Sequence, residues 1–291
     1  MIARPRPGIL AGFHVSIAGG IEKAVARAVD RGCTAFQIFT SSPSQWARRP
    51  LDKAESEAFR TAAAQAGIQK YFVHAIYLLN LASADEGLRA KSVSVLGEEL
   101  VRADLLGASG VIFHLGSVGA GGDCSEGIRR VASSLEAARA ASGRELPLVL
   151  ENSAGAGGTI GAEPAHLEAI ISKAGRAEPM AICLDTAHAF AAGIPIHTAA
   201  GLDELMARPF MDRRLAVLHT NDSLGGAGSR RDRHWHLGDG EIGMSALRRI
   251  VRHSRIRNLP MIMETPGTLD DDRRNMKTLI TILGLSKNPA L

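Results

Sequence analysis

Short apolar, β-branched runs alternate with amphipathic stretches along the whole chain. The runs fall near 9–15, 34–39, 70–74, 110–114, 147–151, 181–185, 215–219 and 260–264, and their length and composition predict buried strands. The amphipathic stretches near 20–31, 53–66, 85–106, 125–142, 163–173, 198–208, 243–253 and 270–284 predict helices. Ser83 stands where it would cap a helix whose first turn holds Asp85 and Glu86, and Gly67 and Gly107 stand where helices would stop. Strands that are each followed by a helix, with no linker or composition break, predict an α/β chain, a (β/α)₈ TIM barrel in a single domain over 1–291. A doubly wound open sheet is the alternative. It offers one switch-point crevice and would not gather so many strand ends.

Composition changes this picture little. Of 291 residues 45% are hydrophobic, which is ample for a core and excludes a disordered chain. No apolar run approaches the roughly 20 residues that span a bilayer, so no membrane association is expected. Met1 to Pro7 lacks the apolar stretch of a signal peptide, and a cytoplasmic location is expected. Cys33, Cys124 and Cys183 are odd in number and widely spaced, which predicts reduced thiols in or near the core. The net charge is +4, and arginine supplies 27 of the 34 basic residues. Its planar fork suits phosphate, but so mild an excess raises the odds of a polyanionic partner only modestly.

The chemistry lies where the apolar runs end. Tyr71-Phe72-Val73 ends at His74, Val111-Ile112-Phe113 at His114, Leu148-Val149-Leu150 at Glu151, and Met261-Ile262-Met263 at Glu264. Asp185 and His188 close the sixth run, and His219 the seventh. Unconnected buried polar groups would each need their own hydrogen-bond solution, whereas imidazole and carboxylate together are ligands for zinc and similar divalent ions. Asp232 and His234 are two apart, which in an extended segment puts both on one face. Arg230, Arg231 and Arg233 around them argue instead for a solvated charge run. His14 ends the first run without a carboxylate nearby in sequence and reads as a substrate contact. His166, His197 and His253 lie away from strand ends and read as ordinary histidines, as Cys183 reads as packing.

Several motifs together resemble the endonuclease IV family of apurinic/apyrimidinic endonucleases over nearly the whole chain. They are Gly12-Phe13-His14-Val15-Ser16-Ile17-Ala18-Gly19-Gly20, the run Tyr77 to Leu81, Phe113-His114-Leu115-Gly116-Ser117, and Leu150-Glu151-Asn152-Ser153-Ala154-Gly155. Leu184 to Gly193, His219-Thr220-Asn221-Asp222 and the loop Gly228 to His234 complete the set. The resemblance implies three zinc ions per chain, with manganese able to replace some of them. Matched position by position, His74, His114 and Glu151 would hold one; Glu151, Asp185, His219 and Glu264 a second; His188, Asp232 and His234 the third. It further implies hydrolysis of duplex DNA 5′ to abasic sites and trimming of blocked 3′ ends. Glu151 would be the catalytic bridging carboxylate, and Glu264 would orient or deprotonate the attacking water. His14, Gln45, Trp46, Tyr77 and Arg233 would be DNA contacts; the bland reading of Trp46 is that it packs its own loop. Ser44 stands where some members carry a DNA-inserting arginine. Nothing demands a partner subunit, so a monomer is expected. A sugar isomerase or epimerase on a similar barrel is the competing reading. It would use Glu151, Asp185, His219 and Glu264 for one metal and leave the other histidines without work.

Overall fold

The computed structural model describes Pro5 and residues 8–284, so the outermost ends of the predicted domain lie outside the described residues. In chain order the strands are β1 (Ala11–Phe13), β2 (Ala35–Ile38), β3 (Lys70–His74), β4 (Val111–Phe113), β5 (Leu148–Glu151), β6 (Met180–Asp185), β7 (Leu215–His219), β8 (Asp222–Ser223), β9 (His234–Trp235) and β10 (Met261–Met263). All but β8 and β9 form one parallel sheet of eight strands in the order β1-β10-β7-β6-β5-β4-β3-β2. The seam between β1 and β2 is closed by a parallel bridge of His14 with Gln37, and the Val15 amide donates to the Gln37 carbonyl at 2.8 Å. Gly12 permits this approach, because a Cβ there would overlap the Ala35 carbonyl oxygen. The barrel thus closes, and the open-sheet alternative is set aside.

Helices surround it: α1 (Lys23–Asp30), α2 (Lys53–Gln65), α3 (Glu86–Leu106), α4 (Cys124–Ser142), α5 (Pro164–Lys173), α6 (Thr186–Ala191), α7 (Ala199–Ala207), α8 (Pro209–Arg214), α9 (Gly243–Arg252) and α10 (Leu269–Ile282). Several of their starts are chemically explicit. Asp52 and Glu55 form a capping box on α2, and Asp123 caps α4. Asp85, not Ser83, caps α3; the Ser83 hydroxyl accepts from the Asp85 amide at 3.1 Å one step earlier. Gly107 ends α3 in the left-handed region, at φ 73°. None of these helices is long and apolar enough to cross a membrane.

The thiol expectation needs one correction. Cys33 and Cys183 are buried, but Cys124 is exposed as the first residue of α4, where the strand and helix core does not reach.

Strand alternation divides the core in two. The larger apolar cluster fills the space between sheet and helices. The smaller one contains one residue from each of seven strands: Ala35, Phe72, Ile112, Val149, Cys183, Val217 and Ile262. It plugs the barrel interior. Successive side chains point to opposite faces of a strand, so the residue two positions further on also points inward, one pleat nearer the C-terminal mouth. Those residues are Gln37, His74, His114, Glu151, Asp185, His219 and Glu264, with His14 two beyond Gly12. The apolar plug is the floor on which a polar layer stands.

Candidate metal centre

Glu151 lies at the centre of this layer and is fully buried. Its Oε2 is 3.1 Å from His74 Nε2 and 3.8 Å from His114 Nδ1. Its Oε1 is 3.0 Å from His219 Nδ1. One carboxylate therefore presents a separate oxygen to each of two imidazole groups. His219 Nδ1 is also 3.1 Å from Glu264 Oε2 and 3.9 Å from Asp185 Oδ2. Donor atoms of His74, His114 and Glu151 lie within 4.8 Å of one another, as do those of Glu151, Asp185, His219 and Glu264.

A third group is built partly from α6 and partly from a loop. Asp185 ends β6 and caps α6 by accepting the His188 amide at 2.7 Å, which turns the chain so that His188 also faces the centre. The loop after β7 folds back through the antiparallel pair β8–β9, where Ser223 opposes His234. Its tip is tied to α6 by the Gly228 amide on the Phe190 carbonyl and the Arg230 amide on the Ala191 carbonyl. These ties bring His234 Nε2 to 3.3 Å from His188 Nε2, with Asp232 Oδ1 3.2 Å from His188 Nε2 and 3.4 Å from His234 Nε2. Asp185 Oδ2, 3.6 Å from His234 Nε2, lies between the second and third groups. The loop is more than a solvated charge run: its arginines are exposed, and Asp232, itself 58% exposed, and the more buried His234 reach His188.

The orientation of the rings fits metal binding. His74 Nδ1 lies 2.7 Å from the Ala75 carbonyl, His188 Nδ1 3.0 Å from the Asn152 carbonyl, and His219 Nε2 2.9 Å from Gln37 Oε1. Each outer nitrogen donates its proton to an oxygen, so the inner nitrogen is the one that faces the centre and would bind a metal once it has shed its own proton. Ligand histidines are held in this way in metal sites.

Electrostatics follow from packing imidazoles against carboxylates out of water. Burial alone would raise Glu151, but the His114 and His219 rings hold it well below the ordinary carboxylate range. Glu264 is likewise held low against its burial by His219 and His14. Burial would lower His188, yet Asp185, Asp232 and Glu151 push it well above 6.5. His219 rises in the same way, its burial outweighed by the Glu264 and Glu151 carboxylates. Asp232, with burial opposed by His188 and His234, falls to about 2. His114 is instead lowered, because burial outweighs the attraction of Glu151. Cys183, beneath Glu151, is raised to about 12 by burial and stays a thiol.

A cleft of about 890 Å³ opens above the groups, bordered by His114, His188, Asp232, His234 and Glu264 and by Tyr77 and Arg233. Tyr77 is 58% exposed at its rim, its ring edge-on to Phe39 at 5.1 Å. His14 sits inside the polar layer, with Nδ1 3.3 Å from Glu264 Oε1. Gln45 and Trp46 are elsewhere. Gln45 borders a separate cavity of about 310 Å³ beside Arg48, and Trp46 packs partly buried on the core with Lys91 Nζ 4.5 Å above its ring. His166, His197 and His253 stay outside the centre, on α5, in the loop before α7 and at the end of α9.

Three groups of the site escape a reading of the sequence. Gln37 joins His219 to Glu264. Asn221 donates to Asp185 Oδ2 at 2.6 Å and accepts the Glu264 amide at 2.8 Å. Asp222 is fully buried and receives the amides of Ser223, Gly238, Gly240, Ile242 and Gly243, which fixes the loop leading to α9. The alternation that singles out the six strand-end candidate ligands also selects Gln37, two positions after the plug residue Ala35.

Fold and side-chain groups together define a TIM barrel with buried His/Glu/Asp clusters, able to hold metal ions, at the C-terminal ends of its strands. Residues 25–282 match the family described as xylose isomerase-like TIM barrel. Within it, the chain belongs to the endonuclease IV family. It is 41% identical to a probable endonuclease 4 of Methanoculleus marisnigri over 92% of this chain and 95% of that one, and 43% identical to that of Halorhodospira halophila over 88% of each. The crystal structure of endonuclease IV from Thermus thermophilus superposes with a TM-score of 0.85 at 38% identity, covering 95% of this chain and 100% of that one. A D-tagatose 3-epimerase-like protein, at 19% identity and a TM-score of 0.70, shares the fold.

Proposed function

We propose that the chain is a zinc-dependent DNA repair endonuclease that hydrolyses the phosphodiester 5′ to abasic sites in duplex DNA, leaving a 3′-hydroxyl and a 5′-deoxyribose phosphate, and that it trims blocked 3′ ends. The observation that carries this reading is the third group, His188 with Asp232 and His234, standing beside the two groups that share Glu151. A one-metal sugar isomerase has use for Glu151, Asp185, His219 and Glu264 but none for the third group. His74, His114 and Glu151 would hold one zinc, Glu151, Asp185, His219 and Glu264 the next, and His188, Asp232 and His234 the last, with manganese able to substitute. Clustered divalent ions supply a nucleophile at neutral pH and neutralise charge on the phosphate and the leaving oxygen.

The protein's own residues do the rest. Glu151 spaces the first two groups by offering one oxygen to each. Glu264 is held ionised by His219 and His14, so it accepts a hydrogen bond from the attacking water and orients it. The four carboxylates offset only part of the charge of three divalent ions, which leaves the centre attractive to a phosphodiester. Tyr77 at the cleft rim, Arg233 beside Asp232 and His14 deeper in the layer are read as DNA contacts, and so are Gln45 and Trp46, which lie outside the cleft. An abasic nucleotide has little stacking to lose, so drawing it into the cleft costs less than flipping an intact one. The chain is read as a single domain acting as a monomer in the cytoplasm.

The test is a duplex carrying one tetrahydrofuran abasic analogue, incubated with protein whose metal content has been measured. Incision 5′ to the analogue at about three zinc ions per chain is expected. No cleavage by fully loaded protein would refute the nuclease reading, and a single bound metal would favour the isomerase.

A further inference from the structure

Gln37 lies in the middle of β2, is fully buried, and its backbone forms the bridge that closes the barrel. Both ends of its carboxamide are engaged. Nε2 donates to Glu264 Oε1 at 2.8 Å and lies 2.9 Å from His14 Nδ1, while Oε1 accepts from His219 Nε2 at 2.9 Å. Chemistry fixes this orientation: reversing the amide would set its oxygen against a carboxylate oxygen of Glu264.

Each bond has a consequence on the far side of the partner. With its Nε2 proton engaged by Gln37, His219 turns Nδ1 inward, 3.0 Å from Glu151 Oε1. With Oε1 engaged, Glu264 turns Oε2 toward the same point, 3.1 Å from His219 Nδ1. An imidazole has two tautomers and a carboxylate two oxygens, and one neutral side chain selects between them for both. A carboxylate at position 37 could not donate to Glu264, and a lysine could not accept from His219.

We propose that Gln37 is a positioning residue that selects Nδ1 of His219 and Oε2 of Glu264 as the atoms facing one metal, and thereby sets the affinity for that metal alone. The inference rests on the metal-centre reading above. It predicts that removing the carboxamide weakens one ion and spares the ion held by His188, Asp232 and His234, which Gln37 does not touch.

The test compares wild type with Gln37→Met and Gln37→Leu, which keep comparable bulk without the polar atoms. Zinc uptake is titrated against a chromophoric chelator, cobalt is substituted to record the visible spectrum, and the thermal midpoint of the metal-free protein is measured. Loss of a hydrogen-bond partner behind a metal ligand lowers metal affinity about 10–100-fold, so one ion should bind that much more weakly. The cobalt bands of that ion should shift and the remaining uptake should be unchanged. Wild-type affinity for every ion in both variants would overturn the proposal. So would a parallel loss of all ions with a lowered midpoint, which would mark Gln37 as a packing residue only. If wild-type protein takes up no zinc, the metal-centre reading itself falls, and the inference with it.

Discussion

Asp185 Oδ1 accepts the backbone amide of His188 at 2.7 Å, so the carboxylate that ends β6 also begins α6. Its other oxygen is held by Asn221 Nδ2 at 2.6 Å and faces His219 and His234. A single residue thus couples local chain direction to the position of two groups of candidate ligands.

Separating those roles is a direct experiment. Asparagine caps helices about as well as aspartate, whereas alanine at such a position costs about 0.5–2 kcal/mol. Asp185→Asn is expected to keep most of the metal-free stability and Asp185→Ala to lose that amount in urea unfolding. Both should bind fewer zinc ions by elemental analysis, because both lose the charge. Full zinc loading of Asp185→Asn would show that the residue is a cap and not a ligand.

The metal-free protein should respond to pH in a direction that its imidazoles dictate. His188 and His219 have folded pKa values well above 6.5, raised by neighbouring carboxylates against burial. A raised pKa contributes stability that is complete below the unfolded value, about 6.5, and is lost as pH climbs through the folded value. Glu151, Glu264 and Asp232 are depressed, so their contribution is present above the ordinary carboxylate range and lost in acid. The thermal midpoint of chelator-treated protein should therefore decline from about pH 6.5 upward. Zinc should reverse that slope, because ligand histidines must shed their protons to bind it. A metal-free midpoint that rises over the same interval would contradict the ion-paired arrangement.

How much of this can be read from the chain is decided by periodicity. The six strand-end candidate ligands are visible because each closes a short apolar run, and the same spacing that reveals His74 or Glu151 predicts their shared inward face. Gln37 obeys that spacing yet sits inside the predicted strand 34–39, and an amide between Phe36 and Ile38 does not announce chemistry. Asp222 escapes notice because its partners are backbone amides, which no side-chain pattern records. Asp232 and His234 are legible as a pair. That they meet His188 depends on the turn-back of β8 against β9 and on the ties from Gly228 and Arg230 to α6, which are contacts between distant segments. The α8 helix is hidden because Pro209 closely follows α7 and reads as a stop, although proline is favoured in a first helical turn.

Glu151→Gln should abolish incision while preserving the fold. Glutamine keeps the shape but brings an amide nitrogen to one of the two oxygen positions, 3.0 Å from His219 or 3.1 Å from His74. Losing several kcal/mol of electrostatic stabilisation corresponds to at least about a thousandfold in rate. Single-turnover cleavage of the abasic-analogue duplex, with circular dichroism as a control on folding, reads this out. Near-normal turnover would refute the bridging role.

Arg233 provides the sharpest test of how DNA meets the cleft. Its side chain is exposed at the cleft border, donates to the Asp232 carbonyl at 3.2 Å, and has no carboxylate partner within 4.0 Å among the described residues. A free guanidinium beside the centre is suited to a backbone phosphate. Neutralising one phosphate of duplex DNA contributes about 0.9 to the slope of log K against log salt. In the cleavage-deficient Glu151→Gln background, Arg233→Ala should weaken binding to abasic and intact duplexes alike and make that slope shallower by about 0.9. Fluorescence anisotropy over a range of potassium chloride concentrations measures both quantities. An unchanged slope would mean that Arg233 touches no phosphate.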